Sequence, residues 1–330
     1  VLQNQIECLA HLVSSPACLV PVSCRSTEWE LRISLSESNR AKRFPHMPVH
    51  FPSGRSLISV SGEEATHFLQ NLITCDVEKL PEDVARPGAL LTPQGKIMFD
   101  FLIFRDGDGF LIDIDSRLVG DFLKRLTMYK LRAKVTISES DESLAAISWN
   151  ADSTADNGRA VRDSRFPEEL RVTRHYGGKP SGEDDAEGWT ALRIAHGVAE
   201  SGSDFEPGDA FPHDVSLDQN TGVDFRKGCF VGQEVVSRMQ HRGTARRRLV
   251  IASAETPGFA PGTALEAGGK TVGALGSVAA GSALALVRLD RAKDAMDAGT
   301  PITANGRNVA LSLPPNVGYR WPEETADQGD

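Results

Sequence analysis

Between Gly88 and Ile114 the pattern of apolar residues and turns leaves little choice but a β-meander. Gly88-Ala89-Leu90-Leu91-Thr92 and Lys96 to Phe104 are strand segments on either side of Pro93-Gln94-Gly95, a turn whose glycine tolerates a positive φ. Asp106-Gly107-Asp108-Gly109 makes a second turn into Phe110-Leu111-Ile112-Asp113-Ile114. One residue interrupts the middle strand: Asp100 stands between Ile97-Met98-Phe99 and Phe101 to Phe104. Its carboxylate either faces solvent on a polar side of the strand, which simple alternation permits, or sits in a pocket with a raised pKa.

The neighbouring segments extend this unit. Ser56 to Val60 reads as a strand, and Ser61-Gly62-Glu63-Glu64 as a helix start capped by Ser61, continued at helical spacing by Ala65, Phe68, Leu69, Leu72 and Ile73. Glu78 to Pro87 reads as a polar loop. After the meander, Leu118 to Leu131 forms an amphipathic helix, and Val135-Thr136-Ile137 and Ala145 to Trp149 add two strands. This order predicts an α+β domain rather than a doubly wound parallel sheet, and no phosphate loop or dinucleotide fingerprint occurs. Residues 150–188 are rich in glycine, proline and acidic residues and read as a linker, followed by a short apolar helix from Trp189 to Gly197. From Arg247 onward, short strands alternate with glycine turns, Asn305-Gly306 being a strong hairpin signal; the reading is a small β-barrel or sandwich.

At 330 residues the chain is too long for one ordinary core, so more than one domain is expected. A formal net charge of -9 argues against a general nucleic-acid coat and leaves local basic patches open. No apolar run reaches the roughly 18 to 20 residues of a membrane span, which predicts a soluble protein without membrane or direct nucleic-acid partners. Five cysteines, Cys8, Cys18, Cys24, Cys75 and Cys229, are an odd number without a secretory apolar region, which points to a reducing compartment and no disulfide framework. The first three match no common zinc spacing, and no metal site is read. Residues 1–46 lack a sustained period and are expected to be a poorly ordered extension; their acidic residues speak against a transit peptide.

The densest run of unusual residues is Lys227-Gly228-Cys229-Phe230-Val231-Gly232-Gln233-Glu234, with Arg238 four residues further on. Gln233-Glu234 opens a helix, and Gly228 and Gly232 allow sharp turns or a close ligand approach. Arg226, Lys227 and the helix start would favour the Cys229 thiolate. The plain reading is a buried small hydrophobe beside a turn. Behind the run, His241, Arg242, Arg246, Arg247 and Arg248 form a basic cluster whose arginines suit carboxylates, although such a run is usually a solvated strand face.

These eight residues and Arg238 resemble the signature of the YgfZ-type folate-binding proteins, relatives of the aminomethyltransferase (T-protein) of the glycine cleavage system. The resemblance extends from about Pro48 to about Trp321. It implies a folate-binding α+β core of two intertwined subdomains over residues 47–244 and a carboxy-terminal β-barrel over 245–330. It also implies tetrahydrofolate or a one-carbon derivative as cofactor. The function implied is support of iron-sulfur cluster assembly or repair in client enzymes, tRNA-modifying ones among them, in the cytoplasm or, in a eukaryote, the mitochondrial matrix.

By the same resemblance Cys229 is the reactive residue, and Asp100, Lys227, Gly228, Gly232, Gln233, Glu234, Arg238, Arg242 and Arg247 surround the cofactor. One position departs from the pattern: where the aminomethyltransferases carry a glutamate that hydrogen-bonds the pterin, this chain has Ala195. Pterin recognition must therefore differ. A folate-dependent aminomethyl-transferring or demethylating enzyme using Asp100 as acid or base stays open beside the accessory role, as does a folate-binding regulator without chemistry at Cys229.

Overall fold

The computed structural model describes residues 48–150, 158–243, 245–254 and 258–323. The expected amino-terminal extension and all but the first residue of Glu323 to Asp330, which reads as a polar tail, lie outside them.

Nine strands form the first sheet: β1 (Val49–His50), β2 (Arg55–Ser61), β3 (Val84–Leu91), β4 (Ile97–Asp106), β5 (Gly109–Asp115), β6 (Thr136–Glu139), β7 (Leu144–Ser148), β8 (Arg159–Asp163) and β9 (Thr173–Tyr176). Their order is β1-β7-β9-β8-β3-β4-β5-β2-β6, with the β3–β4–β5 meander near the middle. The β3–β8 pair is parallel and the other neighbours are antiparallel. This mixed sheet is the α+β arrangement that the order of segments predicts.

Alternation along β4 divides the core. Phe99, Phe101 and Ile103 pack under α1 (Ala65–Gln70) and α2 (Val119–Lys130), with Phe122 of α2 fully buried against both phenylalanine rings at 5.2 and 5.6 Å. Burying such a ring contributes roughly 1.5–3 kcal/mol. Leu102 and Phe104 enter the opposite core, with Tyr176 of β9 and Trp189 of α3 (Ala186–His196). Asp100 has the parity of Leu102 and Phe104, so its side chain belongs to that second face.

Helix α4 (Gln233–Arg242) precedes the carboxy-terminal sheet. That sheet comprises β10 (Arg247–Ser253), β11 (Ala264–Ala267), β12 (Lys270–Ala279), β13 (Ser282–Arg288), β14 (Ile302–Ala304), β15 (Arg307–Asn308) and β16 (Ala310–Ser312), in the order β15-β14-β11-β12-β13-β10-β16. The two outermost strands are consecutive in the chain with only Val309 between them, so the sheet must curl round on itself into a near-closed barrel. Asn305 and Gly306, both at positive φ, form the two-residue turn between β14 and β15.

Four expectations need correction. Ser61 ends β2 rather than capping a helix, and α1 is only six residues long with Glu64 at its cap position. The supposed loop Glu78–Pro87 contains the start of β3, because Val84 and Ala85 pair with β8. Residues 158–176 are not linker: β8 and β9 are integral strands, disguised by charged residues that turn out to be buried in pairs. In the barrel, where Thr271-Val272-Gly273 and Gly276-Ser277-Val278 read as separate short strands, they are one bulged strand, β12, and a helix, α5 (Leu289–Asp297), follows β13 unannounced.

Candidate functional site

A cavity of about 780 Å³ lies between the second face of the sheet, α3 and the barrel, whose β12 contributes Ser277 and Val278. Asp100 lines it, so of the two settings open to this residue the pocket is the one realised. Its Oδ1 is buried without a hydrogen-bond partner. Burial pushes the carboxyl up, and a hydrogen bond from the Ser201 side chain and the charge of Arg55 offset this only in part.

The cavity is lined by five arginines that sequence reasoning did not single out: Arg55, Arg117, Arg165, Arg174 and Arg193. Four of them are locked into networks. Arg55 Nε donates to Asp113 Oδ1 at 2.6 Å and Arg174 Nη2 to Asp113 Oδ2 at 2.9 Å, while the Tyr176 hydroxyl donates to the same oxygen at 2.7 Å. Arg174 also reaches Asp163, which Arg165 holds at 2.7 Å. Burial would raise the Asp113 carboxyl, but Arg55 and Arg174 outweigh it and hold it at about 2. Arg193 links three segments: its guanidinium donates to the carbonyl of Val198, to Asp204 at 2.9 Å and to Ser277 Oγ at 3.0 Å in the barrel. Asp204 in turn accepts from the backbone N–H groups of Glu200 and Ser277. The barrel wall of the cavity is thus tied to the core by buried charge. Asp113 carried the same signal as Asp100, a carboxylate inside an apolar strand between Ile112 and Ile114, and the same argument would have found it.

The Lys227 to Arg238 stretch lies elsewhere. None of its residues lines the cavity. Lys227 is buried, and its Nζ donates to the carbonyls of Ile73 at 2.7 Å and Cys75 at 2.9 Å, closing the turn that follows α1. The groups acting on its ammonium are burial first, then Cys75 and Asp76, so its charge is committed there rather than at Cys229. Gly232 sits at φ 78° at the start of α4, where a β-carbon would lie 2.5 Å from the carbonyl oxygen of Thr92. It is the close approach of α4 to the Pro93-Gln94-Gly95 turn that requires glycine. Gly228 has open space around it and no left-handed φ.

Gln233 and Glu234 open α4 as expected, and Glu234 pairs with Arg238 at 2.7 Å across one exposed turn. Cys229 is exposed and unpaired, whereas Cys75 is buried, its thiol pushed up to about 11 by burial. Cys229 precedes the first residue of α4 by four positions, so the helix start is not directly at its thiol.

The basic cluster divides. Arg242 is exposed at the end of α4. Arg247 bridges Asp209 at 2.9 Å and Asp214 at 2.7 Å, and Arg248 binds Asp218 at 2.8 Å and the His213 carbonyl at 2.7 Å. These two fasten β10 to the loop of residues 209–218 and lie outside the main cavity. Among the described residues no group of three or more His, Cys, Asp or Glu could hold a metal ion, and no helix is long and apolar enough to cross a membrane.

Comparison with known proteins agrees with this architecture. Residues 246–319, the barrel, match the model of the CAF17 C-terminal beta-barrel domain. The structure is similar to that of the glycine cleavage system aminomethyltransferase T from Bartonella henselae, with a TM-score of 0.58 at 16% identity over 84% of this chain and 88% of that one. At that identity the likeness concerns the fold alone. The chain is 34% identical over 214 residues to the mitochondrial iron-sulfur cluster assembly factor IBA57 homolog of Pyricularia oryzae, a match covering 59% of this chain and 54% of the relative, about half of the fungal protein. It is 30% identical over 305 residues to the mitochondrial iron-sulfur cluster assembly factor IBA57 of Homo sapiens, covering 82% of this chain and 84% of the human protein. With the barrel, the aminomethyltransferase-like sheet and this extent of identity in agreement, the chain belongs to the IBA57 family of iron-sulfur cluster assembly factors.

Proposed function

We propose that the cavity holds tetrahydrofolate or a one-carbon derivative, and that the chain supports iron-sulfur cluster assembly or repair in client enzymes, tRNA-modifying ones among them, through the thiol of Cys229. The folate half is carried by the unpartnered Oδ1 of Asp100. A buried acceptor left without a donor costs stability, and an N–H of a pterin ring relieves that cost. The cavity volume suits a ligand of this size, Phe51 offers flat apolar surface, and the exposed guanidinium of Arg117, whose Nε and Nη2 are held by Asp115, keeps further donors for the carboxylates of a folate tail. Bound folate supplies a carrier for one-carbon groups; the chain's own residues hold and orient it.

The cluster is cargo. Clusters are held as a rule by four thiolates, and Cys229 presents one, so the remaining ligands come from the donor or client protein. The names of the relatives place them in the mitochondrion, and its matrix is the proposed setting here. A second reading, a folate-dependent aminomethyl-transferring enzyme with Asp100 as acid or base, draws on the raised carboxyl of Asp100. It is weakened by Ala195, which is exposed on α3 and offers no acceptor.

Two measurements test the proposal. Calorimetry with tetrahydrofolate is expected to give a tenfold to hundredfold weaker Kd for Asp100→Ala, roughly the value of one charged hydrogen bond; an unchanged titration removes the folate site from the cavity. In cells lacking the family's factor, Cys229→Ser is expected to fold, as judged by its melting curve, yet fail to restore cluster-enzyme activity. Full complementation would make Cys229 dispensable.

A further inference from the structure

Besides Asp100, Asp115 and Asp184, the cavity is lined by a carboxylate with acceptor capacity to spare, that of Glu200. Glu200, on the loop that follows α3, lines it together with Asp100, and the neighbouring Ser201 is hydrogen-bonded to Asp100. Its backbone is fixed, because Glu200 N–H donates to Asp204 at 2.8 Å and Asp204 is held by Arg193 and by the barrel. Its side chain is less committed: Oε2 lies 3.4 Å from Arg193 Nε, an ion contact, and that Nε is itself buried without a hydrogen bond. The Glu200 side chain keeps 37% of its accessible surface, open to the cavity it lines. Burial would raise its carboxyl, and Arg193, Arg165, Arg55 and Arg174 together outweigh burial and keep it ionised.

Ala195, where the aminomethyltransferases have their pterin-binding glutamate, is exposed and does not line this space. The acceptor missing from α3 is therefore available five residues later, from the loop. An ionised carboxylate only accepts, so Glu200 and the free oxygen of Asp100 together call for a ligand edge that carries more than one N–H.

We propose that Glu200 is the residue that reads the amino-pyrimidine edge of the ligand, selecting with Asp100 a planar heterocycle with adjacent N–H donors. The proposal rests on the folate reading above and adds the specificity determinant to it. Plain electrostatics predicts the opposite effect of removing Glu200: losing a negative charge from a cavity lined by five arginines would strengthen binding of an anionic folate. The sign of the change therefore separates recognition from background charge.

The test is calorimetry of the full chain with tetrahydrofolate and with its 2-desamino analogue. Wild type is expected to prefer tetrahydrofolate. Glu200→Ala and Glu200→Gln are expected to bind it about tenfold to hundredfold more weakly and to lose most of the preference over the analogue. Both variants should keep the wild-type melting temperature within a few degrees, because Arg193 retains Asp204, Ser277 and Val198. Equal or tighter binding of tetrahydrofolate by Glu200→Ala, or an undiminished preference, overturns the assignment of Glu200 while leaving the folate site in place. Absence of binding by folded wild-type protein overturns the folate reading itself, and the assignment with it.

Discussion

In the cavity, charged side chains are buried against one another and one carboxylate oxygen is left over; in the stretch from Lys227 to Arg238, charged side chains serve the backbone or each other and one thiol is left over. Arg55, Arg174, Asp113 and Tyr176 form a buried set, extended through Arg174 to Asp163, whose two arginines line the cavity, and Asp100 on the same lining lacks a partner for Oδ1. Lys227 instead caps the carbonyls of Ile73 and Cys75, Gly232 lets α4 meet the meander turn, and Glu234 pairs with Arg238. The first region encloses a cavity lined by charge, and the second holds a loop that exposes Cys229. A run of unusual residues in sequence is thus mostly scaffold around one group, while the cavity lining is gathered from residues far apart in the chain.

The contrast is tested most severely at Asp113. Replacing it with alanine leaves Arg55 without its carboxylate and Arg174 with Asp163 alone, and removing one member of a buried ionic set costs about 3–5 kcal/mol. Urea unfolding should show that loss; a change under 1 kcal/mol would mean that the network adds little to the fold. The pH dependence carries the same information. Asp113 has a folded pKa of about 2 against an ordinary value of 3.8, so its contribution is fully present above the ordinary value and disappears as pH falls through about 2. Asp113→Asn should flatten the acid limb of the stability curve in that window, and an unaltered limb would contradict the assignment.

A smaller effect separates the two glycines that flank Cys229. Gly232→Ala forces a β-carbon into the left-handed region and towards the Thr92 carbonyl, which should cost about 1–3 kcal/mol. Gly228→Ala meets nothing and should change stability by less than about 0.5 kcal/mol. Equal losses at both would show that the stretch is uniformly constrained rather than pinned at Gly232.

The smallest expected effect on stability is that of Cys229→Ser, within about 0.5 kcal/mol for an exposed side chain. Thiol labelling of the folded protein should modify Cys229 rapidly and Cys75 only on unfolding. Labelling of Cys75 at the same rate in native buffer would mean that the Lys227 turn opens easily, and would blur the distinction between a scaffold and its exposed thiol.

Local patterning alone determined the meander, helix α2, the start of α4 and the Asn305-Gly306 hairpin, because in each the period of apolar residues or the turn chemistry is contained within a few consecutive positions. It also marked Asp100 as anomalous and set Cys229 apart. It did not reveal β8 and β9, whose buried Asp163, Arg174 and His175 look polar until the partners that neutralise or bond them are known. Nor did it assemble Arg55, Arg174, Arg193 and Glu200 into one cavity, or distinguish Arg247, fastened to Asp209 and Asp214, from an arginine free to meet a ligand. Those decisions belong to tertiary structure, because the energy of a buried charge depends on which opposite charge lies within a few ångströms of it, and that neighbour comes from a distant part of the chain.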